Sequence, residues 1–247
     1  IVEAGRECER DANMKRALLL AAAITAIAIS TTPASAQQIV AQSNFVNRQQ
    51  QTAIPQVSIT VRADFVLFSI RYETGTRAAE AREDELAKTF AAVNQRASRA
   101  EGMGIEVGQP GMSAAIETAA IKEMIQDRGN DRSGIDIVLK VLVRPNDTFE
   151  TIRARAEKFV KDTPLTGRVE AIIGDSQFLG VAEPKKHLDT LIKAIAEDVK
   201  LMKASFGGAV DVNLSGMHSS TQSRPVGPLE LEIYVPYTMS VRSGPPQ

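Results

Sequence analysis

Apolar and polar residues alternate most regularly near the C-terminal end of the chain, across residues 229–241. Apolar side chains take every second position there, and mostly polar side chains take the positions between them. A β-strand sends successive side chains to opposite faces, so this period of two predicts a strand with one buried face. Pro236 lies on the polar side and cannot donate a ladder hydrogen bond, which predicts a sheet edge or a bulge there.

The same alternation recurs upstream and predicts the strands that pair with this segment. Strands are predicted over residues 57–61, 64–72, 105–107, 135–144, 169–173 and 210–214. Polar and glycine-containing segments separate them. These segments predict a charged hairpin tip at residues 127–134, a turn at residues 174–176 and a polar loop at residues 215–227.

Three segments carry apolar residues at helical spacing. The first begins near Arg77 and the second follows Asp147 or Thr148, either of which can cap it. The third runs over residues 184–205 with Pro184 in its first turn. Their apolar faces are predicted to be Leu86, Phe90, Val93 and Ala97; Phe149, Ile152, Ala156, Phe159 and Val160; and Leu188, Leu191, Ile192, Ile195, Val199 and Met202.

The order of these elements predicts an α+β fold. An antiparallel β-sheet carries helices packed on one face, and two strand–helix–strand halves follow each other along the chain. Residues 114–126 suit either a helix or a strand of mixed polarity, and both assignments stay open.

The first part of the chain has the pattern of a secretion signal. Met14 is followed by two basic residues, an apolar run over residues 17–29 and a small-residue end. Cleavage is predicted between Ala36 and Gln37, and the apolar run is shorter than the roughly 20 residues of a membrane-spanning helix. The sequence therefore predicts a periplasmic protein without stable membrane insertion after cleavage.

The predicted leader also sets the other boundaries. Residues 1–13, which contain the only cysteine, Cys8, are interpreted as an upstream non-native extension, and residues 14–36 as the signal peptide. Residues 37–56 are predicted to be a flexible linker because they are rich in Gln, Asn and Ser. The domain is predicted over residues 57–242, with a tail at residues 243–247.

The charge balance bears on possible partners. Removal of residues 1–36 takes away four basic and four acidic residues, so the 29 Lys and Arg become 25 and the 30 Asp and Glu become 26. Such a balanced surface provides no electrostatic attraction for nucleic acid. No nucleic-acid partner is predicted.

Residues that commonly carry catalysis or bind metals are few and scattered. His187 and His218 lie in no metal-binding spacing, and Ser215 lies near His218 without the Gly-x-Ser-x-Gly motif of a hydrolase. The charged residues of the first helix are interpreted as its solvated face: Glu83, Asp84, Glu85 and Lys88. No cofactor, metal site or catalytic residue is predicted, and the protein is predicted not to be an enzyme.

Several features together resemble the SIMPL domain family. They are the leader, the early strand pair that leads into an Ala-rich charged helix, the strand 135–144 followed by Asn146-Asp147-Thr148-Phe149, the helix 184–205 that runs into Phe206-Gly207, and the last alternating strand after Pro225-Val226-Gly227-Pro228. The likeness covers most of residues 56–242, and the chain is similar to a divergent member.

The resemblance implies a secreted or periplasmic protein. Bacterial members of the family include an immunogenic envelope antigen and a protein linked to defence against oxidative stress. The resemblance also implies an antiparallel sheet with helices packed on it, no cofactor and self-association into homo-oligomers.

Two functions follow from the sequence as hypotheses. The first is a non-enzymatic SIMPL-like protein that acts by binding or self-assembly in envelope or oxidative stress protection. The second is a periplasmic small-ligand binder or hydrolase whose site residues are dispersed through the fold.

Overall fold

The computed structural model describes residues 39–42, 57–115, 118–206 and 210–243. Ala36, Gln37, Cys8 and the predicted leader lie outside these residues. Among the described residues, no helix combines the length and the apolar character needed to cross a bilayer.

The described residues form strands, three α-helices and two short 3-10 helices. The strands are β1 (Ile39–Gln42), β2 (Ile59–Arg62), β3 (Phe65–Thr74), β4 (Met103–Gln109), β5 (Met112–Ala114), β6 (Gln126–Gly129), β7 (Arg132–Leu142), β8 (Glu170–Val181), β9 (Val210–Ser215), β10 (Gln222–Pro225), β11 (Glu230–Tyr234) and β12 (Thr238–Ser243). The helices are α1 (Ala79–Arg99), α2 (Phe149–Lys161) and α3 (Leu188–Ser205), with 3-10 turns at Thr118–Met124 and Pro184–His187.

All strand pairs among the described residues are antiparallel. The largest sheet has the order β1-β8-β3-β7-β4-β5, with β6 also paired to β7. Its centre holds the two predicted strand–helix–strand halves, β3-α1-β4 and β7-α2-β8. The two halves interleave, because β7 lies between β3 and β4 while β3 lies between β7 and β8. This is the split β-α-β order of ferredoxin-like domains, and the α+β prediction is confirmed.

The register between β3 and β7 creates the buried face of the sheet. Four directly opposed pairs are all buried and apolar: Val66 with Val141, Phe68 with Leu139, Ile70 with Ile137, and Tyr72 with Ile135. The apolar faces of α1 and α2 belong to the same core cluster. A slip of one residue would send this whole set to the opposite face, so burial on one side specifies the register.

The second helix begins where the sequence predicts. Thr148 is its N-cap and forms a capping box with Thr151, in which each side chain accepts a hydrogen bond from the other residue's backbone N–H. Such a cap satisfies amide groups that the first turn leaves without partners. The prediction of Thr148 as a helix cap is confirmed.

The predicted hairpin tip at residues 127–134 is much shorter in the structure. β6 and β7 occupy most of it, and only Asn130 and Asp131 connect them, with φ angles of 51° and 58°. Two successive left-handed residues are typical of a two-residue type I′ turn, which Asn and Asp tolerate. The polar composition of residues 127–134 gave no indication that β6 and β7 pair across most of this segment.

The predicted turn at residues 174–176 is a bulge inside the long strand β8. Phe68 pairs with Gln177 and Ile70 pairs with Ile173, so β8 contains extra residues between these pairs. Gly174 lies within reach of Ser69 at this point. The residues that suggest a turn therefore kink the strand without ending it.

The segment 229–241 is not one strand. It divides into β11, which pairs with β2 and β10, and β12, which pairs with β9. The break surrounds Pro236, whose ring cannot donate to a ladder. Leu231, Ile233 and Val235 are fully buried in the main core, while Val241 is exposed, so only the first half has the predicted buried face.

Three further predictions need correction. In α3 only Leu191 and Ile195 are buried, and Ile192 is 43% exposed, so the apolar stripe that the helix buries is narrower than predicted. The predicted polar loop 215–227 contains β10. Residues 39–42 of the predicted flexible linker form β1 on the edge of β8.

Residues 114–126, for which two assignments were open, contain the 3-10 helix Thr118–Met124 where the structure describes them.

Gly180 accommodates an aromatic ring on the opposite face of the central sheet. It pairs with Phe65, and a Cβ at residue 180 would lie 2.2 Å from the Phe65 ring. We predict that Gly180→Ala lowers the free energy of unfolding by about 1–3 kcal/mol, because the ring must leave its position. Gly75→Ala is the control, since a Cβ there meets no atom within 4 Å. Urea unfolding measures both, and equal effects would contradict this packing.

Tyr72 is buried with its hydroxyl group unpaired. Burial raises the pKa of Tyr72 to about 12, so the unfolded chain loses this proton at lower pH than the folded protein. Stability from the neutral phenol is therefore constant below about pH 10 and falls as pH rises towards 12. Phenylalanine at residue 72 has no group to ionise, so a Tyr72→Phe variant would not lose this stability at high pH.

We predict that Tyr72→Phe has a free energy of unfolding at neutral pH within about 1 kcal/mol of the wild type. Its advantage should then grow by on the order of 1–2 kcal/mol towards about pH 11.5. Denaturant unfolding across this range measures the difference, and a difference independent of pH would contradict the burial of the hydroxyl group.

Candidate functional site

A cleft of about 510 Å³ lies between the C-terminal half of α1 and the face of α2 beside it. Met103 at the start of β4 and Pro164 after α2 complete its wall. Clefts of 300–1,000 Å³ are the usual size of small-molecule sites. We call this feature the α1–α2 cleft and define it by its lining residues: Ala92, Gln95, Arg96, Arg99, Ala100, Met103, Arg155, Lys158, Phe159 and Pro164.

Helical periodicity brings the lining residues together. On α1 and its C-cap they occupy positions 92, 95, 96, 99 and 100, and on α2 positions 155, 158 and 159. Residues three and four apart lie on one side of a helix, so each helix turns a single stripe towards the cleft. The buried stripes of both helices fix them on the sheet, and the adjacent stripes are left to form the two walls.

Arg96 is held at the contact between the two helices. One Nη atom donates to the Asp162 carbonyl oxygen at 3.0 Å, and the other donates to the Asp162 carboxylate at 3.3 Å. The guanidinium carbon also lies 5.6 Å from the centroid of the Phe159 ring, within the range of a cation–π contact. These contacts fix a positive charge against an apolar wall.

Arg155 is fixed in a similar way. Its Nη2 atom donates to the Leu142 carbonyl oxygen at 3.1 Å and to the Asp147 carboxylate. Asp147 also accepts the backbone N–H of Arg144 at 2.8 Å. The side chains of Arg155 and Asp147 are 24% and 14% exposed, so this ion pair is screened less than a surface pair.

Arg99 and Lys158 are the exposed cations of the cleft. Lys158 Nζ donates to the Asp162 carboxylate at 2.8 Å. This hydrogen bond is the main cause that lowers the pKa of Asp162 below its ordinary value. No salt bridge forms at Arg99 within the residues that the structure describes.

The charge of the cleft is positive. Arg96, Arg99, Arg155 and Lys158 are the charged residues in its lining, and none of the described lining residues is acidic. Asp162 and Asp147 are the acidic residues that contact these cations, so four positive charges face two negative ones. An excess of two positive charges beside apolar walls favours an anion.

The Nε–H groups of Arg96 and Arg155 are buried without an acceptor in the described structure. A buried unpaired donor costs about 1–3 kcal/mol, so these arginines retain hydrogen-bonding capacity that the fold does not use. The guanidinium group carries five donors in a planar fork that matches carboxylate and phosphate oxygens.

A second, smaller cavity of about 170 Å³ lies at the far end of β3. Its lining contains Glu73 and Glu170 together with Arg132 and Arg168. Glu73 lies 3.8 Å from Arg132. Positive and negative charges balance there, so this cavity offers no preference for an anion or a cation.

Arg71, Asp136 and Arg128 form a cross-strand cluster. Arg71 Nε and Arg128 Nη2 donate to the Asp136 carboxylate at 2.9 and 2.8 Å. Burial raises the pKa of Asp136, but the hydrogen bonds from the two arginines outweigh it, and the pKa lies below its ordinary value. Both arginines are therefore already paired with Asp136, and the cluster stabilises the pairing of β3 and β7.

Glu85 corrects the interpretation of α1's charged residues as a purely solvated face. Its half-buried carboxylate accepts hydrogen bonds from Thr74 at 2.6 Å and Thr76 at 3.0 Å. Burial raises the pKa of Glu85, but these hydrogen bonds outweigh it and lower the pKa. Glu85 therefore ties the loop before α1 to the helix, while Glu83, Asp84 and Lys88 are exposed as predicted.

The residues considered for catalysis do not converge. His187 ends the 3-10 turn before α3 and is half-buried, whereas Ser215 is exposed at the end of β9 and His218 is exposed in the segment that follows. Within the described ranges, no group of three or more His, Cys, Asp or Glu side chains is placed to hold a metal ion.

The four cations of the cleft were not among the residues that the sequence pattern indicated. Their helical spacing of three and four residues was visible, but the contact of α1 with α2 depends on the sheet topology. Arg96, Arg99 and Lys158 also lie in the last turns of their helices, where Lys and Arg are common, so their presence alone did not indicate a site.

Comparison with known proteins found no matching family model, no matching curated protein and no matching solved structure.

Proposed function

We propose that the protein is a secreted, non-enzymatic binding protein of the SIMPL type, and that it holds a small anion in the α1–α2 cleft. The convergence of four cationic side chains on one cavity of small-molecule size carries this proposal. The leader pattern before Gln37 supports a periplasmic location, where such a protein would act in envelope or oxidative stress protection.

Binding is favoured over catalysis by the chemistry of the lining. Its polar side chains are arginine, lysine and glutamine, together with apolar residues. Arginine stays protonated at all physiological pH values and glutamine does not titrate, so neither exchanges a proton with a substrate. Nucleophilic catalysis needs an activated Ser, Cys or Lys beside a base, and the lining lacks a base. The cleft is therefore suited to hold a charged group unchanged.

Neutralisation of Arg99 should weaken anion binding. We predict that Arg99→Gln lowers the affinity for acetate or inorganic phosphate on the order of tenfold, because a charge-assisted hydrogen bond is lost. Lys203→Gln is the matched control, since Lys203 is also exposed and also lies in the last turn of a helix. Isothermal titration at low ionic strength measures both variants.

Equal affinities in Arg99→Gln and Lys203→Gln would contradict the assignment of the site. Absence of anion binding by the wild type would contradict the proposed function itself.

Self-association is a second candidate function, favoured by a different surface. Leu201 and Phe206 at the end of α3 are 65% and 59% exposed. β9 and β12 beside them form a sheet of two strands, which is marginal in water without further packing. A second copy that packs on this surface would bury both side chains and add strands to the ribbon.

Light scattering on protein that begins at Gln37 tests this candidate. We predict that the wild type is a monodisperse homo-oligomer. The double variant Leu201→Lys and Phe206→Lys should dissociate, because burial of two lysine side chains would cost more free energy than the contact between copies contributes. Met112→Lys is the control, since Met112 is 80% exposed on the β4–β5 hairpin. A monomeric wild type would leave anion binding as the proposed function.

A further inference from the structure

We propose that the ligand of the α1–α2 cleft is an amphiphilic carboxylate, a short acyl chain with one anionic head. This inference rests on the proposed function and names the class of its ligand. Half of the lining is apolar, and the apolar residues come from every element of the wall: Ala92 and Ala100, Met103, Phe159 and Pro164.

The cleft is too large for an inorganic anion alone. A cavity of about 510 Å³ lies within the range of sites that bury drug-sized molecules. An inorganic ion would leave the apolar walls in contact with water, and an acyl chain would remove them from it. The size and the lining therefore both indicate a ligand with an apolar body.

Arg96 and Phe159 link the charged and apolar parts of the site. The Arg96 guanidinium group lies over the buried Phe159 ring and donates to Asp162 through both of its Nη atoms. The head of the ligand is therefore assigned to Arg99, which is exposed and forms no salt bridge within the described residues, beside the exposed Lys158 that pairs with Asp162. Arg96 and Arg155 are fixed charges behind them. The acyl chain is assigned to Met103 and Pro164.

The carboxylate head follows from the donor set. Guanidinium forks match carboxylate and phosphate oxygens alike, so the charge balance decides, and two excess positive charges suffice for a singly charged head. A multiply charged phosphate would have to compete with Asp162 and Asp147, which already occupy three of the four cations. A monovalent organic anion fits this charge balance better.

A chain-length series tests the inference on the full protein. Acetate, butyrate, hexanoate and octanoate are titrated as monomers below their micellar concentrations, with octanol as the uncharged control. We expect affinity to rise about threefold per methylene until the apolar wall is covered, since a fully buried methylene contributes up to about fourfold. We expect octanol to bind about tenfold more weakly than octanoate.

Met103→Gln keeps the side-chain length but removes its apolar character, and Met112→Gln is the control on an exposed methionine. We expect Met103→Gln to flatten the chain-length series and leave acetate affinity within about twofold, while Met112→Gln changes neither. Met103 also packs against the core, so a thermal melt first establishes that the variant is folded. If it is not folded, the wild-type series decides.

The outcomes separate the two proposals. Acetate binding that depends on Arg99, with no rise along the series, overturns the amphiphilic ligand and leaves the anion-binding function in place. Octanol binding as tight as octanoate overturns the carboxylate head. No binding by any anion of the series overturns both proposals.

Discussion

The fold depends on the antiparallel pairing of β3 with β7, which sets ten consecutive residues of one strand against the other. One face of this pair consists of opposed apolar side chains that α1 and α2 cover. The other face carries Phe65, Leu67 and Val138 at one end and the Arg71–Asp136 pair at the other. Because both faces are specified, the register has no alternative of equal burial.

The same pairing determines where the candidate site lies. β4 and β8 join the outer edges of the pair, so the two helices that precede them, α1 and α2, must lie beside each other on the covered face. Their buried stripes hold them there, and the stripes that carry Arg96 and Arg155 then meet at the cleft. The charges of the cleft are thus a consequence of topology and helix periodicity together.

Local patterns in the sequence predicted most of the framework. Alternation predicted β3, β7 and the first half of the 229–241 segment, helical spacing predicted α1 and α2, and Thr148 was a visible cap. These features depend on neighbours in the chain, so a single sequence contains the necessary information. The split of the last predicted strand at Pro236 was indicated only as an edge or a bulge.

The predictions that failed depended on partners distant in the chain. The residues around Gly174 suggest a turn, but pairing with β3 on one side keeps them inside β8 as a bulge. Glu85 is charged and helical, but Thr74 and Thr76 donate hydrogen bonds to its carboxylate. The cations of the cleft come from two helices separated along the chain by four strands and a 3-10 turn, and no local pattern predicts that they meet.

The pairing of β3 with β7 sets the core of the scaffold, and α1 and α2 form the cleft above it. Two-dimensional NMR of the isotope-labelled protein during titration with octanoate tests this most directly, because each backbone amide reports on its own surroundings. We predict shifts concentrated in residues 92–103 and 155–164, the two walls of the cleft. Shifts confined to other elements, or spread evenly over the sheet, would contradict it.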